Sequence, residues 1–172
     1  TGEGEFLFDL NDVTLVAPIP RPRKNIFCIG KNYVDHAKEL GSEADIPEHP
    51  MVFSKPPTTV TGPESPVSVP SGLTDFLDYE GELAVVIGKE ANAVAKAEAY
   101  EYVFGYTIIN DVSARDIQSR HKQFLLGKSL DTSCPMGPYI VHKSAIADPH
   151  NLHLETKVNG DIRQSANTEL MI

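Results

Sequence analysis

The chain has 172 residues, enough for one domain with a sizeable core, and its 41% hydrophobic and 23% charged content is that of an ordinary globular protein. A net charge of -9, from 15 Lys+Arg against 24 Asp+Glu, argues against nucleic acid or an anionic membrane surface as a partner. No apolar run approaches the ~20 residues that span a bilayer, and no signal peptide is visible at the start.

Residues 1–25 hold short apolar pieces followed by a proline-rich connector, Pro18 to Pro22. Residues 26–29 read as a short buried strand closed by Gly30. Cys28 lies inside that apolar run and makes no CxxC pair with Cys134, which predicts a buried structural thiol and a reducing, cytoplasmic setting. Residues 33–40 read as a helix stopped by Gly41. Residues 41–75, rich in Pro, Gly and Ser, form a long loop with an embedded strand at 51–53; loops of such length are often functional. A β-branched apolar strand follows at 83–87, then an alanine-rich helix at 93–102 and a strand at 104–109. Residues 113–121 read as a helix with Ser113 and Asp116 at capping-box spacing. A strand at 139–141 and an alternating run at 152–158 meet the hairpin turn Asn159-Gly160. No internal repeat appears, and the pattern is a β-rich α+β domain, not a regular βαβ series. The start at Thr1 and the stop inside Leu170-Met171-Ile172 predict a fragment or a trimmed chain.

The chemistry-bearing text is Asp78-Tyr79-Glu80-Gly81-Glu82-Leu83. Glu80 and Glu82 are two apart at the start of a strand, so both project from one face, where paired carboxylates repel. Asp111, at the end of the next predicted strand, could complete a site of three hard oxygen ligands, suited to Mg²⁺, Mn²⁺ or Ca²⁺ more than to zinc. Such a cation would also locally reverse the field that an acidic chain presents to an anionic substrate. The pattern alone leaves open that the two glutamates are exposed strand-end charges. His36 and Glu39, three apart on a predicted helix, share a face; such a pair can hold an imidazole in one tautomer as a general base, or be two members of a solvated helix face. Arg115 and Gln118 also sit three apart, and Lys128 follows Gly127; these could bind an anionic substrate beside the metal or be solvated side chains. His142, His150 and His153 look like surface or strand positions.

Taken together, these segments resemble the fumarylacetoacetate hydrolase superfamily. The match begins at Ile26-Phe27-Cys28-Ile29-Gly30-Lys31-Asn32-Tyr33 with His36 and Glu39, and continues through Phe53-Ser54-Lys55-Pro56 and the Asp78 to Leu83 motif. It resumes from Gly105-Tyr106 to Gln118, then at Gly127-Lys128-Ser129, Asp131-Thr132, Cys134-Pro135 and Val158-Asn159-Gly160. The resemblance divides the chain into a variable segment, 1–23, and a catalytic domain, 24–172, that lacks the family's further β-rich continuation. It implies a mixed β-sheet roll and a homodimer with one Mg²⁺ or Mn²⁺ per subunit, held by Glu80, Glu82 and Asp111. His36 and Glu39 would be the dyad of a lid helix, Lys128 and Gln118 would contact substrate oxygens, and Arg115 would assist.

The activity so implied is cleavage of a C–C bond in a small anionic 2-oxo or β-diketo acid through a metal-stabilised enolate, by oxaloacetate decarboxylation or acylpyruvate hydrolysis. An isomerase acting on a hydroxylated dienedioate is the alternative within the family. A non-catalytic structural or regulatory member of the fold is the alternative outside catalysis.

Overall fold

The computed structural model describes residues 7–33, 48–120 and 123–172. Its strands, in chain order, are β1 (Ile26–Gly30), β2 (Met51–Lys55), β3 (Val60–Thr61), β4 (Leu77–Asp78), β5 (Gly81–Ile87), β6 (Val103–Asn110), β7 (Ser113–Ala114), β8 (Cys134–His142), β9 (His153–Val158) and β10 (Asp161–Asn167). A six-residue α-helix, α1 (Arg115–Arg120), follows β7 directly. The central sheet has the order β3-β8-β6-β5; β3 runs parallel to β8 and the other pairs are antiparallel. Three antiparallel pairs surround it: β1 with β2, β4 with β7, and the β9–β10 hairpin closed by Asn159 and Gly160, both at positive φ. The expected β-rich α+β class and mixed sheet are borne out.

The register explains which side chains meet. Glu82 pairs with Ile109, and Ile109 with Met136, so these three share a sheet face. Ile109 and Met136 form the core with Ala17 and Cys134, against which Ile19, Ile26, Val60 and Ala84 pack. Glu82 is therefore carried on the apolar side of the sheet. The opposite face is open: Val85 is 51% and Ile87 59% exposed. The apolar strand expected at 83–87 is therefore covered on one face only.

Other expectations also change. β1 alternates instead of being buried throughout, with Phe27 71% exposed, and Cys28 is half-buried while Cys134 is fully buried. The alanine-rich segment is a 3₁₀ helix, Lys96–Tyr102, with no buried residue; helix propensity is a weak prior where no apolar stripe is sequestered. Ser113 is not a helix cap. It pairs with Asp78 across β4–β7, and its hydroxyl donates to the Asp111 carbonyl at 3.0 Å. Asp116 instead accepts from Thr74 Oγ1 at 2.5 Å and from Arg120 at 2.8 Å. His121 and the expected helix at 33–40, apart from Tyr33, lie outside the described residues. No helix among the described residues is long and apolar enough to cross a membrane.

Candidate active site

The site forms where β4, β5, β6 and β7 begin or end together. Gly81 pairs with Asn110 across β5–β6, which sets Glu80 beside Asp111: the Asp111 N–H donates to the Glu80 carbonyl at 2.8 Å. The Glu80 N–H in turn donates to Asn110 Oδ1 at 3.0 Å. Behind them the β9–β10 hairpin closes in. Gln164 Oε1 accepts from the Gly81 N–H at 2.9 Å, and a Cβ at Gly81 would lie 2.2 Å from Thr156 Oγ1. A side chain between the two glutamates would require Thr156 to move.

The side chains form a row of alternating charge. Asp78 accepts from Arg115 Nε at 2.8 Å, and the Arg115 guanidinium reaches Glu80 Oε1 at 2.6 Å. The other Glu80 oxygen accepts from the Lys128 ammonium, which also donates to Asp111 Oδ2 at 2.8 Å. Lys55 Nζ lies 2.9 Å from Asp111 Oδ1. Lys55 is 0%, Lys128 1% and Asp111 2% exposed, so these charges are sustained by one another and not by water. Gln118 joins the row by accepting from Arg115 at 3.0 Å.

Lys128 ends a 3₁₀ turn, Leu126–Lys128, whose Gly127 packs on α1. A Cβ there would come within 2.6 Å of the Gln118 nitrogen and 2.8 Å of the Ala114 carbonyl. The Phe53 ring covers the Lys128 ammonium at 5.0 Å and is met edge-on by Phe124.

Glu82 completes the acidic set. Burial, then the neighbouring Glu80 and Asp111 carboxylates, push its carboxyl up to about 7 against the opposing pull of Lys128. With Glu82 ionised, the carboxylates of Asp78, Glu80, Glu82 and Asp111 outnumber the cations Lys55, Lys128 and Arg115 by one. Asp111 Oδ1 is buried and receives no aligned hydrogen bond, although Lys55 is near. Surplus charge, hard oxygen donors and one unaligned buried oxygen suit a divalent cation. Among the described residues, however, no three His, Cys, Asp or Glu side chains are grouped as the ligands of one ion, and Lys128 bridges two of the expected three.

The structure therefore brings together Glu80, Asp111, Lys128, Arg115 and Gln118, with Glu82 close enough to be coupled to them. Arg115 is committed to Asp78, Glu80 and Gln118, which makes it a brace for the carboxylates. His36 and Glu39 lie outside the described residues. Lys55 is a residue of the site that the sequence motifs do not single out. Its signal was present: period two places it on the same side of β2 as Met51 and Phe53, an unusual setting for a lysine.

Residues 25–172 match the family described as fumarylacetoacetate (FAA) hydrolase, C-terminal. The chain belongs to the fumarylacetoacetate hydrolase family. Its relatives in that family include oxaloacetate tautomerase YisK of Bacillus subtilis (strain 168), 62% identical over 169 residues, 98% of this chain and 56% of that protein. Among solved structures, the fumarylacetoacetate hydrolase of Exiguobacterium antarcticum superposes with a TM-score of 0.83 at 47% identity, covering 96% of this chain and 57% of the other. The 5-carboxymethyl-2-hydroxymuconate delta-isomerase of Mycobacterium smegmatis gives 0.81 at 44% identity, covering 95% and 62%. The chain spans little more than half the length of these family members.

Proposed function

We propose that this site moves a proton next to the keto group of a small anionic 2-oxo acid, with oxaloacetate as the substrate and keto–enol tautomerisation as the reaction. The observation that carries the reading is the nearly dry Lys128 ammonium between Glu80 and Asp111, a fixed positive charge within an acidic site. The 62% identity to a protein named as an oxaloacetate tautomerase supports the substrate.

In the proposed reaction a proton leaves the carbon next to the keto group, negative charge gathers on the former keto oxygen, and a proton is returned to that oxygen to give the enol. Lys128 offsets that charge and donates a hydrogen bond to it, at a place from which water is excluded. Arg115 holds Glu80, and Gln118 is held by Arg115, so the carboxylates keep their positions as charge moves. A divalent cation, Mg²⁺ or Mn²⁺, held by Glu80, Glu82 and Asp111, would supply Lewis-acid charge to the same oxygen. His36, oriented by Glu39, is proposed as the proton carrier on the strength of the sequence motif.

Isomerisation of a hydroxylated dienedioate is the second reading, favoured by the likeness to the Mycobacterium smegmatis isomerase; it needs the same proton removal beside a carbonyl. The test is to follow the ultraviolet absorbance of enol oxaloacetate with Mn²⁺ or Mg²⁺ and with a chelated control, assaying pyruvate release in parallel and offering acetylpyruvate separately. Accelerated loss of enol without pyruvate release is the expected result. Pyruvate from oxaloacetate would make the protein a decarboxylase, and turnover of acetylpyruvate a hydrolase. No turnover of either would shift the assignment to the isomerase or to a non-catalytic role. We also propose the homodimer; a subunit mass by light scattering after gel filtration would refute it.

A further inference from the structure

Lys55 ends β2, is wholly shut off from solvent, and is not needed to neutralise Glu80, which already has Arg115 and Lys128. Burying an unpaired ammonium is costly, so its position must be set by partners. Two of them grip it with aligned hydrogen bonds: Nζ donates to the Val112 carbonyl at 3.1 Å and to Ser133 Oγ at 3.1 Å. These two residues are themselves tied, since the Val112 N–H donates to the Ser133 carbonyl at 3.1 Å. The ammonium is thus clamped by the backbone around Asp111 before Asp111 itself is counted.

The third contact differs in kind. Nζ lies 2.9 Å from Asp111 Oδ1 but off the line of a hydrogen bond, and Oδ1 accepts none. The other oxygen, Oδ2, accepts a well-formed bond from Lys128 at 2.8 Å. One lysine therefore attracts the carboxylate by charge alone, leaving a lone pair of Oδ1 uncommitted, and the other binds it directionally. Lys128 is shared with Glu80 and faces the aromatic cover of Phe53, whereas among the described residues Lys55 has no carboxylate partner but Asp111.

We propose that Lys55 is a positioning residue for Asp111: its buried charge holds the carboxylate beside Glu80, so that Asp111 keeps its place as a ligand for a divalent cation when Lys128 turns to the substrate. The inference rests on the cation reading given under the proposed function. Its effect reaches the cation through Asp111 and not by contact.

The experiment is Mn²⁺ titration of the protein, read by the electron paramagnetic resonance signal of free Mn²⁺, at a temperature where far-ultraviolet circular dichroism shows each variant folded. Lys55→Met is expected to weaken Mn²⁺ binding about 10- to 100-fold, the range for outer-shell partners of metal ligands. Lys55→Arg, which keeps the charge, should recover most of that loss. Should Lys55→Met fail to fold, Lys55→Gln, which keeps donors for Val112 and Ser133 without the charge, takes its place. Wild-type affinity in a folded neutral variant overturns the proposal, and so does a loss that Lys55→Arg fails to recover, because packing alone would then account for it. Absence of Mn²⁺ binding by the unmutated protein overturns the cation reading first and this inference with it, and is told apart because no variant is needed to see it.

Discussion

Asp111 has a lysine at each carboxylate oxygen, and the two lysines are not equivalent. Lys128 joins the buried Asp111 to the part-buried Glu80, so removing its charge takes away the cation between them and leaves Arg115 and Lys55 as their remaining partners. Breaking a buried ion pair by removing one partner costs about 3–5 kcal/mol. We expect Lys128→Met to lower the unfolding free energy by that amount in urea titration, and Asp111→Asn in the same chain to recover part of it, since the two changes share one network. The cysteines behave differently. Burial, with a smaller push from Asp111, raises the Cys28 thiol to about 12, and burial raises Cys134 to about 11. At pH 8 a thiol of pKa about 12 is ionised to roughly one part in ten thousand, and only the thiolate attacks. The native protein should therefore resist iodoacetamide at pH 8 while the urea-unfolded chain takes up two equivalents by intact mass; rapid native alkylation of Cys28 would show that its surroundings are open. The carboxylates of the site were legible as residues because Glu-x-Glu and Asp111 stand at strand ends. Lys55 carries only the weak signal of sharing a side of β2 with Met51 and Phe53, and its role depends on partners at positions 111, 112 and 133 that lie far away in sequence.

At the scale of the element, close packing places the reactive groups. The turn bearing Lys128 approaches α1 so nearly that Gly127 has no room for a methyl group. Gly127→Ala should cost about 1–3 kcal/mol through overpacking, seen as a lower midpoint of thermal unfolding. It should also lower turnover more than the stability loss accounts for, because the displaced turn carries Lys128. The strands with clear alternation or a flanking turn signal, β6, β9 and the Asn159-Gly160 hairpin, were readable from their pattern. The alanine-rich segment departs from expectation because propensity favours a helix, yet none of its residues is buried and it closes as 3₁₀ turns. Ser113 misled because capping-box spacing is local, whereas its pairing with Asp78 is set by the distant β4.

Across the molecule, the surplus of acidic charge in the site should make stability depend on a cation. A ligand that binds only the folded state adds about 2.7 kcal/mol at a hundredfold excess over its dissociation constant. We expect Mg²⁺ or Mn²⁺ to raise the thermal midpoint of the unmutated protein, and Glu80→Ala or Asp111→Ala to abolish the increment; an unchanged increment in both variants would place the ion elsewhere. Within a chain of net charge -9, Lys55, Lys128 and Arg115 are gathered at a single spot, each paired with a carboxylate. The core is small, and much of the apolar surface, including Val85 and Ile87, stays exposed.

By itself, the sequence determined the β-rich class, the order of most strands and the family, and it marked Glu80, Glu82, Asp111 and Lys128 as candidates. Alternation, turn residues and motif order are local properties, and they survive without knowledge of contacts. Tertiary structure decided the rest: that Arg115 braces Glu80, that Glu82 sits on the apolar face and is harder to ionise, and that Lys55 serves Asp111 from 56 residues away. Those outcomes depend on burial and on charges brought together by strand register. A side chain's partner and its dielectric surroundings are not properties of its neighbours in sequence.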